Sequence, residues 1–220
     1  METAKCNKIL MADDHILLRD ALAKLIEGFK EFTVVATAAN GKEVLELIES
    51  GGEPDILLMD LKMPEMDGYE TASQVAKLYP KIKTVILSMQ DSEMAMVHLL
   101  QIGVAGFLKK DINPDELNKA LLAIAAGENY YSHDTAIKIA NLLRKKTDNH
   151  LYLDELLLDD QEIEFLKLAS TDMTYLQIAR AMRLTTRNIE NYRQTLFTRF
   201  GVDSRVGLVI CAVKNGIITL

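Results

Sequence analysis

The sequence predicts an α/β domain built on a five-stranded parallel sheet with helices on both faces, followed by a small all-α domain. Three observations lead to this expectation. The chain has 220 residues, which is long for one compact domain and comfortable for two. Up to residue 126, short apolar segments alternate with longer amphipathic ones. From residue 159 onward only helical periodicity remains.

The predicted strands are brief and rich in Ile, Leu, Val and Met, as is typical of buried parallel strands. They are Lys8–Ala12, Thr33–Ala38, Asp55–Met59, Lys83–Leu87 and Ala105–Leu108. The amphipathic segments that alternate with them are Leu17–Glu27, Lys42–Glu49, Tyr69–Leu78, Met94–Ile102 and Pro114–Ala126. Five consecutive βα units predict a doubly wound sheet, because parallel strands need a crossover connection between them.

The second domain is predicted to contain four helices joined by short breaks, as the close packing of small helices requires. They are Asp160–Ala169, Tyr175–Met182, Thr186–Phe200 and Arg205–Asn215. We assign residues 1–127 to the first domain and residues 158–220 to the second. Residues 128–157 form a linker, for which the periodicity predicts one further helix over Ser132–Lys146.

Charge is distributed unevenly along the chain. The formal net charge is −7, which by itself argues against a nucleic-acid partner. Residues 1–130, however, carry 13 Lys and Arg against 21 Asp and Glu, whereas residues 173–220 carry seven against two. This asymmetry predicts different partners for the two ends and leaves nucleic acid open for the basic one.

Two further features bear on the compartment. No apolar run approaches the roughly 20 residues that span a bilayer, and Met1–Lys8 is polar and leads into no signal-peptide core. Cys6 and Cys211 lie far apart without metal-ligand spacing, so we expect two free thiols in a reducing compartment. We therefore expect a cytoplasmic protein with no membrane partner.

Polar residues follow four of the five predicted strands, at the carboxyl edge where sheets of this kind bind ligands. They are Asp13 and Asp14, Asp60, Ser88, and Lys109 and Lys110. Three crowded carboxylates need a cation among them, and oxygen ligands with room for water suit Mg²⁺. A carboxylate can also attack phosphorus to form an acyl phosphate, while Mg²⁺ and a lysine neutralise the phosphoryl oxygens. The residues therefore predict Mg²⁺-assisted phosphoryl transfer at this edge.

Four segments resemble, in order and spacing over about 120 residues, the receiver domain of two-component response regulators. They are Met11–His15, Pro54–Gly68, Val85–Met89 and Gly106–Asp111. The resemblance implies a flavodoxin-like fold in which Asp60 accepts a phosphoryl group from a sensor histidine kinase. It also implies that Mg²⁺ is bound by the carboxylates of Asp13, Asp14 and Asp60 and by the backbone carbonyl of Lys62.

The same resemblance implies that Ser88 and Phe107 form a switch pair and that one lysine binds the phosphate. Lys109 and Lys110 compete for that role, and the aromatic-x-x-Lys spacing of the family, counted from Phe107, selects Lys110. A plain core role for Phe107 is the alternative, since the switch role rests on resemblance alone. We interpret His15 as a helix-start residue rather than a ligand.

Leu158–Leu220 resembles the LuxR-type helix-turn-helix of the NarL/FixJ regulators. The matching segments are Leu158–Leu166, Thr174–Ala179, Thr185–Arg193 and Phe200–Val202. In a projection of the third helix, the apolar side chains gather on one side: Ile189, Tyr192, Leu196, Phe197 and Phe200. The other side is polar and includes Arg187, Asn191, Gln194, Thr195 and Thr198. Such a face suits the major groove, because Asn and Gln can pair with adenine and Arg with guanine.

Several details of this helix remain open. Thr185 or Thr186 caps it, and its N-terminus can then accept a DNA phosphate. Glu190 stands where many family members have Lys, and it can accept from cytosine or pair with Arg187 or Arg193. Arg193 projects into the apolar sector, which suits either a buried pairing, with Glu162 as the candidate partner, or a DNA contact.

Together these features predict a transcription regulator that binds double-stranded DNA and forms a homodimer when phosphorylated. Phosphorylation would add charge at Asp60 and shift the population of two conformations. One alternative is a DNA-binding regulator that works without phosphorylation. Another is an aspartyl-phosphate phosphatase, which would need a carboxylate two residues after its nucleophile. Because that position is Lys62, we do not expect an enzyme.

Overall fold

The computed structural model describes residues 6–89, 93–133, 135–139, 158–215 and 217–218. The chain divides into two compact units. One unit is built on a parallel β-sheet, and the regular elements described in the other are all helices. This division agrees with the fold class that the sequence predicts.

Within the described ranges the sheet has six strands, each parallel to its neighbours. They are β1 (Asn7–Ala12), β2 (Phe32–Ala38), β3 (Ile56–Met59), β4 (Lys83–Ser88), β5 (Gly106–Lys109) and β6 (Tyr130–Tyr131). Their order is β2-β1-β3-β4-β5-β6. The chain therefore runs outward from β1 to β2 and then crosses to β3, which creates a crevice at the carboxyl ends of β1 and β3.

The sixth strand corrects the predicted count of five. Tyr130 and Tyr131 pair with Gly106 and Phe107 of β5, although the sequence places them in the linker. The amide of Tyr130 donates to the carbonyl of Ala105 at 2.9 Å. A two-residue strand is too short to show the alternation by which strands are detected. Residues 135–139 are helical, and the rest of the predicted helix Ser132–Lys146 lies largely outside the described residues.

Among the described residues, five helices alternate with these strands along the chain. They are α1 (Ile16–Glu27), α2 (Gly41–Glu49), α3 (Gly68–Leu78), α4 (Glu93–Ile102) and α5 (Pro114–Ala125). Asn40, Asp67 and Asn113 cap α2, α3 and α5, because each side chain accepts a hydrogen bond from the backbone amide three residues later. The core strands are buried on both faces, and Ile9, for example, is fully buried. This burial explains their continuous apolar runs.

In the described part of the second unit, four helices surround one apolar cluster. They are α6 (Asp160–Ala169), α7 (Tyr175–Ala181), α8 (Thr186–Phe200) and α9 (Arg205–Lys214). Asp159, Thr174 and Thr185 each form a capping box that fixes where a helix begins. Gly201 ends α8 with a φ of 61°, a left-handed conformation that glycine adopts without strain. Across the described residues, every helix is too short or too polar to cross a membrane.

Candidate functional site

Asp13 and Asp60 meet because β1 and β3 are neighbours in the sheet. Ala12 lies in register with Met59, so the next residue of each chain segment leaves the sheet at the same place. The amide of Asp60 donates to the carbonyl of Ala12 at 2.9 Å. Both aspartates are buried, with 2% and 5% of their surface exposed, whereas Asp14 is exposed. We call Asp13, Asp14, Asp60 and Lys110 the acidic pocket.

Lys110 connects the two buried carboxylates. Its Nζ lies 2.7 Å from Oδ2 of Asp13 and 2.9 Å from Oδ2 of Asp60. Its amide donates to the carbonyl of Ser88 at 3.2 Å, which links the ends of β4 and β5. Lys109 instead lines a groove with Asp111 and other residues of this loop. Of the two competing lysines, Lys110 is therefore the one that reaches the aspartates.

The electrostatics of the pocket reflect this burial. Burial raises the pKa of Asp60 above its ordinary value, although the hydrogen bond and charge of Lys110 act against the rise. Burial alone would lower the pKa of Lys110, but hydrogen bonds and charges from Asp13 and Asp60 outweigh it and raise that pKa. Lys110 is therefore an ammonium at neutral pH, and one ammonium faces three carboxylates. The remaining negative charge and the oxygen donors fit a hard divalent cation such as Mg²⁺.

Two neighbouring residues hold the backbone of the pocket in place. The guanidinium of Arg19, on α1, donates to the carbonyls of Asp13 at 2.8 Å and Ala38 at 3.2 Å. It thereby ties the end of β1 to the end of β2. A Cβ on Gly68 would lie 2.4 Å from the carbonyl oxygen of Asp60. Only glycine therefore allows α3 to begin this close to the backbone of Asp60. Arg19 was missed from the sequence, where its only signal is a cation one turn into the helix that follows Asp13.

The remaining predicted pocket residues lie at or near the same edge. Ser88 is the last residue of β4 and is buried, and Lys62 is exposed two residues after Asp60. The amide of Leu61 donates to Oδ1 of Asp60 at 2.8 Å, which leaves Oδ2 for Lys110. Phe107 lies inside β5 with 1% of its surface exposed. A buried aromatic ring is compatible with both a core and a switch role.

His15 occupies the position expected of a helix-start residue, since it is the N-cap of α1. Among the described residues, however, its side chain makes no capping hydrogen bond. The imidazole Nδ1 instead lies 3.1 Å from Oδ1 of Asp13 and 2.9 Å from Oδ1 of Asp14. One ligand atom from each of Asp13, Asp14, His15 and Asp60 falls within 4.8 Å of all the others. The sequence reasoning did not foresee this contact.

In the second unit, α8 presents the predicted polar face to solvent. Its exposed members are Thr186, Arg187, Glu190, Asn191, Gln194, Thr195 and Thr198, which we call the recognition face. On the opposite side Ile189 and Leu196 are buried in the apolar cluster. Thr185, rather than Thr186, caps the helix, because its hydroxyl accepts from the amide of Asn188 at 3.2 Å.

The suggested pairing of Arg193 with Glu162 is wrong. Glu162 is bound by Arg199, with Nη1 of the arginine 2.8 Å from Oε2 of the glutamate. Arg193 forms an ion pair with Glu190, and its guanidinium lies 5.5 Å from the ring centre of Tyr175. Arg193 and Arg199 are six residues apart, about 9 Å along a helix, and Arg199 is the one that binds Glu162.

The structural role of Arg205 was not predicted from the sequence, where the residue was considered only as one of the basic side chains. Its guanidinium donates to three carbonyls, those of Ala169 at 2.8 Å, Thr171 at 2.7 Å and Met173 at 2.6 Å. It thereby holds the turn between α6 and α7. Among the described residues of this unit, the basic side chains that remain exposed are those of Arg180, Arg183, Arg187 and Lys214. The charge count therefore overstates the basic surface.

Comparison with known proteins gives matches for both units. The family of response regulator receiver domains matches residues 9–122, and the luxR family of bacterial regulatory proteins matches residues 157–212. The nitrate/nitrite response regulator protein NarL of Escherichia coli (strain K12) is 33% identical over 199 residues, which cover 90% of this chain and 91% of NarL.

Solved structures of RcsB show the same fold. RcsB from Salmonella enterica serovar Typhimurium, bound to promoter rprA in the presence of phosphomimetic BeF3-, has a TM-score of 0.66 and 19% identity, with 93% of this chain and 97% of that chain covered. A structure of two RcsB dimers bound to two parallel DNAs has a TM-score of 0.59 and 19% identity, with 94% and 98% covered. At this identity the likeness concerns the fold alone.

Proposed function

The chain belongs to the NarL/FixJ family of two-component response regulators, and on this premise we propose that phosphorylation of Asp60 by a sensor histidine kinase controls its binding to double-stranded DNA. One observation carries the proposal. The carboxylate of Asp60 lies at the carboxyl end of β3, nearly buried, with Nζ of Lys110 2.9 Å from Oδ2. In this assignment residues 1–127 are the receiver domain, residues 128–157 the linker and residues 158–220 the DNA-binding domain.

The proposed reaction transfers a phosphoryl group from the phosphohistidine of the kinase. A carboxylate oxygen of Asp60 attacks phosphorus, a P–O bond forms, and the P–N bond of the donor breaks with its electrons returning to the imidazole. The ammonium of Lys110 is within reach of the phosphoryl oxygens on Asp60 and neutralises part of their charge. Burial excludes most water from the carboxylate, which favours transfer over loss of the phosphoryl group.

A divalent cation completes the charge balance of the pocket. The residues that would hold Mg²⁺ are Asp13, Asp14, Asp60 and, through its backbone carbonyl, Lys62. When bound, the ion supplies positive charge that offsets the phosphoryl oxygens. Ligand atoms of Asp13, Asp14 and Asp60 lie within 4.8 Å of one another, which supports the carboxylate part of this assignment. In the same proposal the hydroxyl of Ser88 donates to a phosphoryl oxygen, and Phe107 changes its packing when the loop after β4 moves.

For the DNA-binding domain, we propose that the recognition face of α8 lies in the major groove. Arg187 can bind guanine, and Asn191 and Gln194 can bind adenine, while Thr186 lies at the helix end that accepts a phosphate. Thr195 and Thr198 continue the same exposed face. Glu190 can reach a cytosine only after leaving Arg193, so it screens the charge of that arginine in the free protein.

Two RcsB structures, a promoter complex formed in the presence of a phosphomimetic and a complex of dimers with DNA, support the coupling of phosphorylation to DNA binding as a homodimer here. A sensor kinase and DNA as partners imply the cytoplasm as the working compartment and require no membrane contact. The proposal assigns the chain a regulatory rather than a hydrolytic role, since Lys62 stands where a phosphatase of this chemistry needs a carboxylate.

One experiment tests the proposal against its rivals. The full chain is incubated with Mg²⁺ and acetyl phosphate, and acyl phosphate is followed by intact mass. Affinity is measured for a DNA fragment selected from a random-sequence pool. We expect a single phosphoryl group and tighter DNA binding in wild type, and neither in Asp60→Asn. DNA binding that ignores the donor would contradict the switch, and rapid turnover of unrelated phosphoesters would favour the phosphatase.

A further inference from the structure

We propose that His15 is a nitrogen ligand of the metal site, which makes this receiver favour transition-metal ions such as Mn²⁺ over Mg²⁺ relative to a site with oxygen ligands alone. The inference rests on the metal site of the proposed function and deepens it. It assigns to His15 a role that its position at the start of α1 does not require. The occupant of the site is a single divalent ion shared with Asp13, Asp14 and Asp60.

The spacing of the side-chain atoms carries the inference. Nδ1 of His15 lies 2.9 Å from Oδ1 of Asp14 and 3.1 Å from Oδ1 of Asp13. Adjacent ligands in an octahedral shell with bonds of about 2.1 Å lie about 3 Å apart, and opposite ligands about 4.2 Å apart. Including Asp60, all four ligand atoms fall within 4.8 Å of one another. The separations of Nδ1 from the carboxylates of Asp13 and Asp14 are thus those of adjacent ligands around one ion.

The backbone around His15 holds its imidazole near the carboxylates. Its amide donates to Oδ1 of Asp13 at 2.9 Å, and its carbonyl accepts from the amide of Arg19 at 2.9 Å in the first turn of α1. The side chain is 67% exposed, so the outer side of the imidazole is open to water. In the tautomer protonated at Nε2, Nδ1 carries a lone pair instead of a hydrogen. That lone pair points towards the carboxylates of the site.

The chemistry of the imidazole decides which ions gain from it. Mg²⁺ is a hard ion that prefers oxygen ligands and gains little from nitrogen. First-row transition ions bind imidazole well, with an affinity that rises from Mn²⁺ towards Cu²⁺. A mixed set of three carboxylates and one imidazole therefore shifts the preference of the site without removing its capacity for Mg²⁺.

The test uses the full chain, freed of metal and kept at one pH. Mn²⁺ is titrated by electron paramagnetic resonance, and a directly bound nitrogen is detected by electron spin echo modulation. We expect a nitrogen signal in wild type and its loss in His15→Asn. Mn²⁺ affinity should fall on the order of 10-fold. Mg²⁺ affinity, measured by competition, should change less than about 2-fold.

Asn is chosen because it keeps an N–H donor and is a good N-cap, so α1 is retained. If His15 only donates hydrogen bonds to the aspartates, His15→Asn restores them and Mn²⁺ affinity stays unchanged. That result, or a wild-type spectrum without bound nitrogen, would overturn the inference. The matched control is His133→Asn, an exposed histidine outside the pocket, which should leave both ions unaffected.

Asp13→Asn separates failure of this inference from failure of the metal site itself. If Mn²⁺ and Mg²⁺ bind wild type and both weaken in Asp13→Asn, the acidic metal site stands whatever His15 does. If neither ion binds wild type, or if Asp13→Asn changes nothing, the metal site of the proposed function fails and His15 falls with it. Circular dichroism of each variant checks that the fold is intact.

Discussion

The acidic pocket and the recognition face use polar side chains in opposite ways. In the pocket Asp13, Asp60 and Lys110 are nearly buried, and the ammonium of Lys110 binds both carboxylates. On α8, Asn191 and Gln194 are exposed to solvent. The contacts within the chain therefore define the chemistry of the pocket, whereas the role proposed for the exposed face depends on a DNA partner.

The largest loss of stability is expected at Lys110. Lys110→Met removes the ammonium between two buried carboxylates, and we expect the free energy of unfolding to fall by about 3 kcal/mol. Urea denaturation at neutral pH measures the change. Lys109→Met is the matched control, because the neighbouring lysine does not bridge the aspartates and should cost less than about 1 kcal/mol. Equal losses in the two variants would contradict the charge-compensating role of Lys110.

A smaller loss is expected at Arg199, the partly buried arginine that pairs with Glu162 in the second unit. Arg199→Met leaves the carboxylate of Glu162 without its guanidinium, although the amide of Asp159 still donates to Glu162 at 3.1 Å. We expect a loss of about 2 kcal/mol in the unfolding of the DNA-binding unit. Arg187→Met, on the exposed face, should change stability by less than about 0.5 kcal/mol. If both variants unfold like wild type, the Glu162 pairing has no energetic weight.

On the recognition face the same kind of truncation should spare stability and cost binding. We expect Asn191→Ala and Gln194→Ala each to weaken specific DNA binding by about 1–3 kcal/mol while unfolding stays unchanged. Fluorescence anisotropy with the selected DNA and a scrambled duplex measures the effect. Gln101→Ala, an exposed amide on α4, is the control. Equal weakening on both duplexes would indicate phosphate contacts rather than base recognition.

The smallest effect on stability is expected at Asp60, where a substitution should raise stability while it abolishes phosphorylation. Burial raises the pKa of Asp60, so the native protein keeps that proton to a higher pH than the unfolded chain does. This contribution to stability is complete below the ordinary pKa of 3.8 and is lost as pH rises through the raised value.

Asp60→Asn should therefore be more stable than wild type at neutral pH, on the order of 1 kcal/mol, while losing phosphorylation. The gain should shrink as the pH of thermal unfolding is lowered. Asp55→Asn, a half-buried aspartate just before β3, is the control for loss of a carboxylate at the other end of the strand. A wild type more stable than Asp60→Asn at neutral pH would contradict the raised pKa.

The predictable part of the molecule is the part with local signals. The ends of the five predicted strands and of the nine predicted helices described in both units lie within one residue of those observed, because apolar periodicity, caps and glycines mark them. The convergence of Asp60 with Lys110 followed from parallel topology. Contacts that depend on rotation about a helix or on a side-chain torsion were missed. Arg193 was assigned the partner of Arg199, and His15 was not expected to face Asp14.

Arg205 has a consequence for how the protein is made. The residue that closes the turn between α6 and α7 follows that turn by more than 30 positions, as its bonds to Ala169 and Met173 show. During synthesis, α6 and α7 leave the ribosome before Arg205, the residue that binds the turn between them. At a synthesis rate of about 5–20 residues per second, the carbonyls of this turn therefore lack their arginine donor for seconds. In a nascent chain stalled before Arg205 has left the ribosome, α6 and α7 should therefore be sensitive to protease. Once Arg205 and the first turn of α9 have left the ribosome, both helices should become protected together.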